Sequence, residues 1–211
     1  MRFTRTMRDA DGQQRTKDAL LEGSVRGLRI MLALLVMLPQ FSRAWPASAQ
    51  ASSPNEYAVK AAFLFHFAQF VEWPEGAFQN ADSPVVYCTM GEDPFQGALD
   101  ESFKGKTIDA RALQVRHLKE GSEVQGCHVV FIGKTGKRSV TDELTSLGSS
   151  PVLTVGETEQ FVKDNGMIAF CTEENKIRFA INLGAAERAN LKISAKLLAL
   201  AKTVIGKPKR D

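Results

Sequence analysis

The chain has 211 residues, 44% hydrophobic and 24% charged, with 27 Lys and Arg against 24 Asp and Glu. The basic excess belongs to the first 49 residues, which hold eight of the basic and four of the acidic side chains. The remaining stretch of about 160 residues is near neutral, so nucleic-acid binding loses its electrostatic support, and the length suits one domain that buries a core without metals.

The segment from Arg29 to Gln50 reads as an export signal. Arg26 and Arg29 form a positive flank, Ile30 to Leu38 an apolar core, Pro39 a breaker, and Ala47-Ser48-Ala49 a cleavage site with the cut after Ala49. A membrane span needs about 20 apolar residues, roughly twice this core, so a cleaved leader fits better than an anchor. Residues 1–49 are therefore expected to be a signal peptide with an unusually long polar extension, Met1 to Val25. The domain is expected over 50–206, with Lys207-Pro208-Lys209-Arg210-Asp211 as a basic tail.

Export changes the meaning of the three cysteines, because a pair in an oxidising compartment is a bridge candidate. Cys88 ends the run Val85-Val86-Tyr87 and Cys127 opens the run His128 to Ile132, which favours Cys88 to Cys127. Three single bridges are open to three cysteines. Cys171 is then left over, either buried as a small apolar group or paired between chains.

In chain order, Asn55 is a candidate N-cap and Glu56 to Val71 a helix apolar on nearly every side, stopped at Trp73-Pro74. Ser83-Pro84 leads into a strand, Val85 to Met90, followed by a helix from Asp93-Pro94 to about Phe103. Ala112 to Leu118 alternates as a half-buried strand, and Cys127 to Ile132 is continuously apolar, as a central strand is. Arg138 to Leu147 reads as a helix, Pro151 to Val155 as a strand, and Glu157 to Lys163 as a helical turn. Met167 to Thr172 and Lys176 to Ile181 form a hairpin, expected at the sheet edge, and Gly184 to Val204 reads as one amphipathic helix. The fold class is α/β: a single domain with a mainly parallel sheet, helices on both faces and an antiparallel hairpin toward the C-terminus.

No chemistry rises out of these elements, and no catalytic, cofactor or metal residue is assigned. Gly133-Lys134-Thr135-Gly136-Lys137-Arg138 lies between a strand and a helix, but the first glycine of a phosphate loop would fall at Phe131 and its hydroxyl at Arg138. His66, His117 and His128 sit on three different elements with no H-x-x-x-H or C-x-x-C nucleus, and no G-x-S-x-G elbow presents a serine. What stands out is apolar surface: Phe63, Phe65, Phe67 and Phe70 in one helix, then Trp73, exceed what one buried face can use. Phe63, Phe67, Phe70 and Trp73, with Leu197 and Leu200, are the candidate surface for a partner or a homodimer.

The segments KAAFLFHFAQFVEWP at 60–74, CTMGEDPFQGAL at 88–99, GCHVVFI at 126–132, PVLTV at 151–155 and IRFAINLGAAERANLKISAKLLALA at 177–201 resemble the YfiR-like proteins, small periplasmic proteins of Gram-negative bacteria. The resemblance spans about Tyr57 to Val204. It implies a non-enzymatic regulator that represses an inner-membrane diguanylate cyclase (YfiN-like) through its periplasmic part, lowering cyclic di-GMP and biofilm formation, with an outer-membrane lipoprotein (YfiB-like) that sequesters the repressor. It also places the family's bridge on Cys88 and Cys127, leaving Cys171 alone where some members have a second pair. The competing expectation is a small-molecule sensor feeding a membrane histidine kinase or cyclase, its ligand held by the loops after Met90, Ile132 and Val155 at the carboxyl ends of the strands.

Overall fold

A computed structural model describes residues 54–206; the export signal expected at 1–49, the lead-in at 50–53 and the basic tail expected at 207–211 lie outside the described residues. Helix α1 (Pro54–Gln69) opens the fold, with Asn55 inside its first turn rather than capping it. It ends two residues earlier than the sequence suggests, because Val71–Glu72 is taken into a short strand, β1. Next come β2 (Val85–Met90), α2 (Ala98–Phe103), β3 (Thr107–Ile108), β4 (Arg111–Leu118) and β5 (Val129–Ile132). After these follow α3 (Val140–Leu147), β6 (Leu153–Gly156), α4 (Glu159–Lys163), β7 (Ile168–Glu173) and β8 (Lys176–Asn182). The chain then runs through α5 (Leu183–Arg188), β9 (Lys192–Ile193), α6 (Ala195–Leu200) and β10 (Thr203–Ile205).

The main sheet has eight strands in the order β10-β8-β7-β6-β5-β2-β4-β3, parallel except at β7–β8 and β3–β4. Side chains alternate across it with the period of two that a pleat imposes. Val85, Tyr87, Val129 and Phe131 point into one core, packed with residues of α1, α2, α5 and α6. Val86, Cys88, Met90, Val130 and Ile132 point into the other, packed with Leu144 and Leu147 of α3 and Phe161 and Val162 of α4. Helices therefore cover both faces of a mainly parallel sheet, as expected.

Three expectations need correction. The run Gly184 to Val204 is not one helix but α5, β9, α6 and β10. Asn190 takes a left-handed conformation (φ 56°) that ends α5, and Ser194 starts α6 by accepting from Leu197 N at 3.3 Å. The β7–β8 hairpin is present, turning on Glu174 and Asn175, both with positive φ, but it is not the edge: β10 pairs parallel to β8 outside it. The helix expected from Asp93 starts only at Ala98. Asp93 instead accepts from Phe95 N in a tight turn, and Gln96 and Gly97 both have positive φ.

The disulfide joins Cys88 and Cys127, with Cα atoms 6.0 Å apart. It ties β2 to the residues entering β5 on the α3/α4 side. Cys171 is a free, half-buried thiol on β7, and burial raises its pKa.

Candidate functional site

In an open parallel sheet the ligand crevice lies where strand order reverses, outside the carboxyl ends. Here that point is between β2 and β5, and the chain closes it with its own backbone. Glu92 N donates to Lys134 O at 2.9 Å and Gly133 N to Met90 O at 2.9 Å. Both loops need glycine for this approach. A Cβ at Gly91 (φ 83°) would stand 2.8 Å from Lys134 O, and one at Gly133 would collide with Glu92 O. The amino-terminal half of α1 closes the same end. Tyr57 packs edge-on against Phe95, which packs against Phe131, with ring centroids 5.4 and 4.8 Å apart. Lys60, buried, bonds to Glu56 in α1 and to Glu157 just beyond β6, both at 2.6 Å. Burial lowers its pKa, but the two carboxylates outweigh burial and hold the ammonium above its ordinary range.

His117 comes nearest to a catalytic arrangement and fails on geometry. Thr89 Oγ1 and Asp93 Oδ2 lie 2.8 and 3.2 Å from the same ring nitrogen, Nδ1, so no nucleophile–base–acid relay runs through the ring. Among the described residues no cluster of three or more His, Cys, Asp or Glu is placed to hold a metal. No helix among them is long and apolar enough to cross a membrane.

The candidate site is instead a pair of depressions of about 540 and 400 Å³ flanking the two-residue ribbon of β1 and β9. Trp73 and Glu72 line both. The larger depression carries Glu72, Glu75 and Glu187 against Lys192, which reaches only to 3.9 Å from Glu72, so the hollow is acidic. The smaller is aromatic, walled by Phe70, Trp73 and Phe78, with Asp109 and Arg111 on its rim. Asp109 and Ala110 form the β3–β4 turn with φ of 50° and 65°, and the second of these is costly for alanine.

The aromatic wall is braced from below. Phe78 stacks on His128 with centroids 4.2 Å apart, Trp73 meets both edge-on, and the Arg111 guanidinium lies 3.9 Å from the Phe78 ring centre. Arg111 is fixed by donating to Asn80 O and Ser83 O, both at 2.8 Å. Val86 N donates to His128 Nδ1 at 3.1 Å, so the ring proton sits on Nε2, which donates to Ala77 O at 3.2 Å. Burial lowers the His128 pKa, and the Arg111 charge lowers it further. A third hollow, about 440 Å³, lies on the Cys127 side of this wall, between Gly76 and Ser150.

The six candidate interaction residues divide between core and surface. Phe67 and Leu197 are 0% and 2% exposed, so their surface role is corrected: Phe67 packs on Phe170 and Phe179, which use its whole ring. Phe63 is half-buried against the same pair, and Phe65 packs on Phe103 of α2, so α1 is apolar all round because it is wedged between sheet and α2. Phe70 and Trp73 line the depressions. Leu200, 64% exposed, stands with Val204 beside the β10 edge and lines neither. Sequence reasoning missed the acidic Glu72, Glu75 and Glu187, which come together only through the pairing of β1 with β9.

A model of the YfiR/HmsC-like family matches residues 57–202. Among solved structures, a conserved domain protein from Vibrio cholerae O1 biovar El Tor str. N16961 aligns at 11% identity and a TM-score of 0.45, over 71% of this chain and 60% of that one. No curated protein matches.

Proposed function

This chain belongs to the YfiR/HmsC-like family, and from that premise we propose that it is a non-enzymatic periplasmic regulator that binds the periplasmic part of an inner-membrane diguanylate cyclase and represses it. In this reading the leader, 1–49, is removed after Ala49, leaving one domain and a basic tail. Cyclic di-GMP and biofilm formation fall while the complex stands. An outer-membrane lipoprotein that captures the regulator releases the cyclase. Repression needs only that the protein bind one state of its target better than the other.

The observation that carries this reading is the contrast between the two ends of the molecule. The strand-end crevice that a small-molecule sensor would use is zipped shut by Gly91, Gly133 and α1, whereas Trp73 and Phe70 stand on an open, acidic and aromatic face. Such a face suits a protein partner with basic and apolar side chains. The test is the cyclic di-GMP content of cells in which the gene is deleted and then restored with or without its leader. Content should rise on deletion and return to the original level only with the exported form. Unchanged content on deletion would refute the reading.

A further inference from the structure

The segment Gly133 to Arg138 fails the phosphate-loop pattern, yet part of its backbone behaves as such loops do. The N–H groups of Gly136, Lys137 and Arg138 converge on the carboxylate of Glu120 at 2.6, 2.9 and 3.3 Å. Successive amides aimed at one anion form a nest. The nest is complete before α3 begins, because that helix has its own cap: Ser139 Oγ accepts from Asp142 N and Asp142 Oδ2 from Ser139 N. Three exposed cations, Lys134, Lys137 and Arg138, belong to the same short segment.

Receptor and occupant are braced by one buried acid. Glu143, 1% exposed, holds Arg138 Nε at 3.0 Å and accepts from Gly121 N, next to Glu120, at 2.9 Å through the same oxygen. Its other oxygen is buried without a partner. The hydrogen bonds from Gly136 and Lys137 hold the Glu120 carboxyl below the usual carboxylate range, so the nest keeps a charged occupant. A tethered carboxylate taking three N–H donors in a cationic loop stands in for a free oxyanion.

We propose that residues 136–138 form a binding site for a phosphate group, held closed by Glu120 and opened when a phosphate from another molecule, a free ion or a lipid headgroup, displaces that carboxylate. The site lies in the loop between β5 and α3 and shares no residue with the depressions at Trp73.

The test compares thermal unfolding in sodium phosphate and in sodium chloride of equal ionic strength. It uses protein recovered after expression of the full chain, as wild type, Glu120→Ala, and Glu120→Ala combined with Gly136→Pro, which removes one of the three donors. At phosphate about tenfold above its Kd the Glu120→Ala melting temperature should rise by about 4 °C, the wild type by less than about 1 °C, and the double variant not at all. Flotation of Glu120→Ala with phosphatidylglycerol vesicles but not with phosphate-free galactolipid vesicles would assign the phosphate to a lipid, and flotation with neither would assign it to the free ion. Line broadening of phosphate in 31P spectra with Glu120→Ala, whose side chain offers the three N–H groups no acceptor, gives a second readout that does not depend on melting. The proposal fails if Glu120→Ala does not respond to phosphate beyond chloride in either readout, if wild type and Glu120→Ala respond equally, or if Gly136→Pro leaves the response intact.

Discussion

His128 satisfies its neighbours only when neutral, because Nδ1 must accept from Val86 N while Nε2 donates to Ala77 O. Its pKa is depressed in the fold, so the unfolded chain takes up the proton first. The stability it contributes is present above about pH 6.5 and is lost as pH falls below that value toward the folded pKa. Unfolding free energies measured between about pH 7.5 and pH 5 should therefore drop more steeply for the wild type than for His128→Asn, whose amide oxygen can still accept from Val86 N. Equal slopes would mean that His128 does not titrate on unfolding. Phe67 makes the opposite point about residue type and role. Aromatic excess in α1 suggests a surface, but this ring sits between Phe170 and Phe179. Phe67→Ala should cost about 4 kcal/mol in chemical denaturation, as a cavity in a packed core does. A loss under about 1 kcal/mol would contradict its burial.

At the scale of elements, the strands buried on both faces are readable because β5 is an unbroken apolar run and β2 and β6 are short runs interrupted by a single threonine each, Thr89 and Thr154, between turn residues. The β7–β8 hairpin is readable from its polar connection, and α3 as the run Arg138 to Leu147, whose start the capping pair Ser139 and Asp142 moves to Val140. The run Gly184 to Val204 reads as one helix because Leu191, Leu197, Leu198, Ala201 and Val204 fit a helical stripe. That stripe runs straight across Asn190 and Ser194, where the chain leaves the helix and re-enters it. Asn190 decides the outcome through its backbone. Replacing it by Ala at φ 56° should destabilise the fold by about 1 kcal/mol, whereas Gly should be close to neutral in the same denaturation measurement. Equal effects of the two substitutions would rule out the left-handed conformation as the cause. The two-residue strands β1, β3 and β9 carry too few side chains for any period to register, and β1 with β9 builds the candidate site.

For the molecule as a whole, compartment and fold point the same way. The expected export signal and the family resemblance both favour a Cys88–Cys127 bridge, and the fold brings those two thiols together across β2 and the entry to β5. Half of the candidate site was legible, since Phe70 and Trp73 stood out as apolar excess. The acidic half was not, because Glu72 and Glu187 are 115 positions apart and meet only when β9 pairs with β1. An acidic, aromatic face opposed to a sealed crevice is what a protein-binding regulator needs and what a metabolite receptor does not. The most direct measurement is the cyclic di-GMP content of deletion cells carrying an exported Glu75→Arg, Glu187→Arg variant. Both changes are on exposed side chains of the depression at Trp73, so the variant can be matched to wild type in abundance and melting temperature. Content should stay at the raised level of the deletion; a return to the wild-type level would show that the regulator does not act through this face.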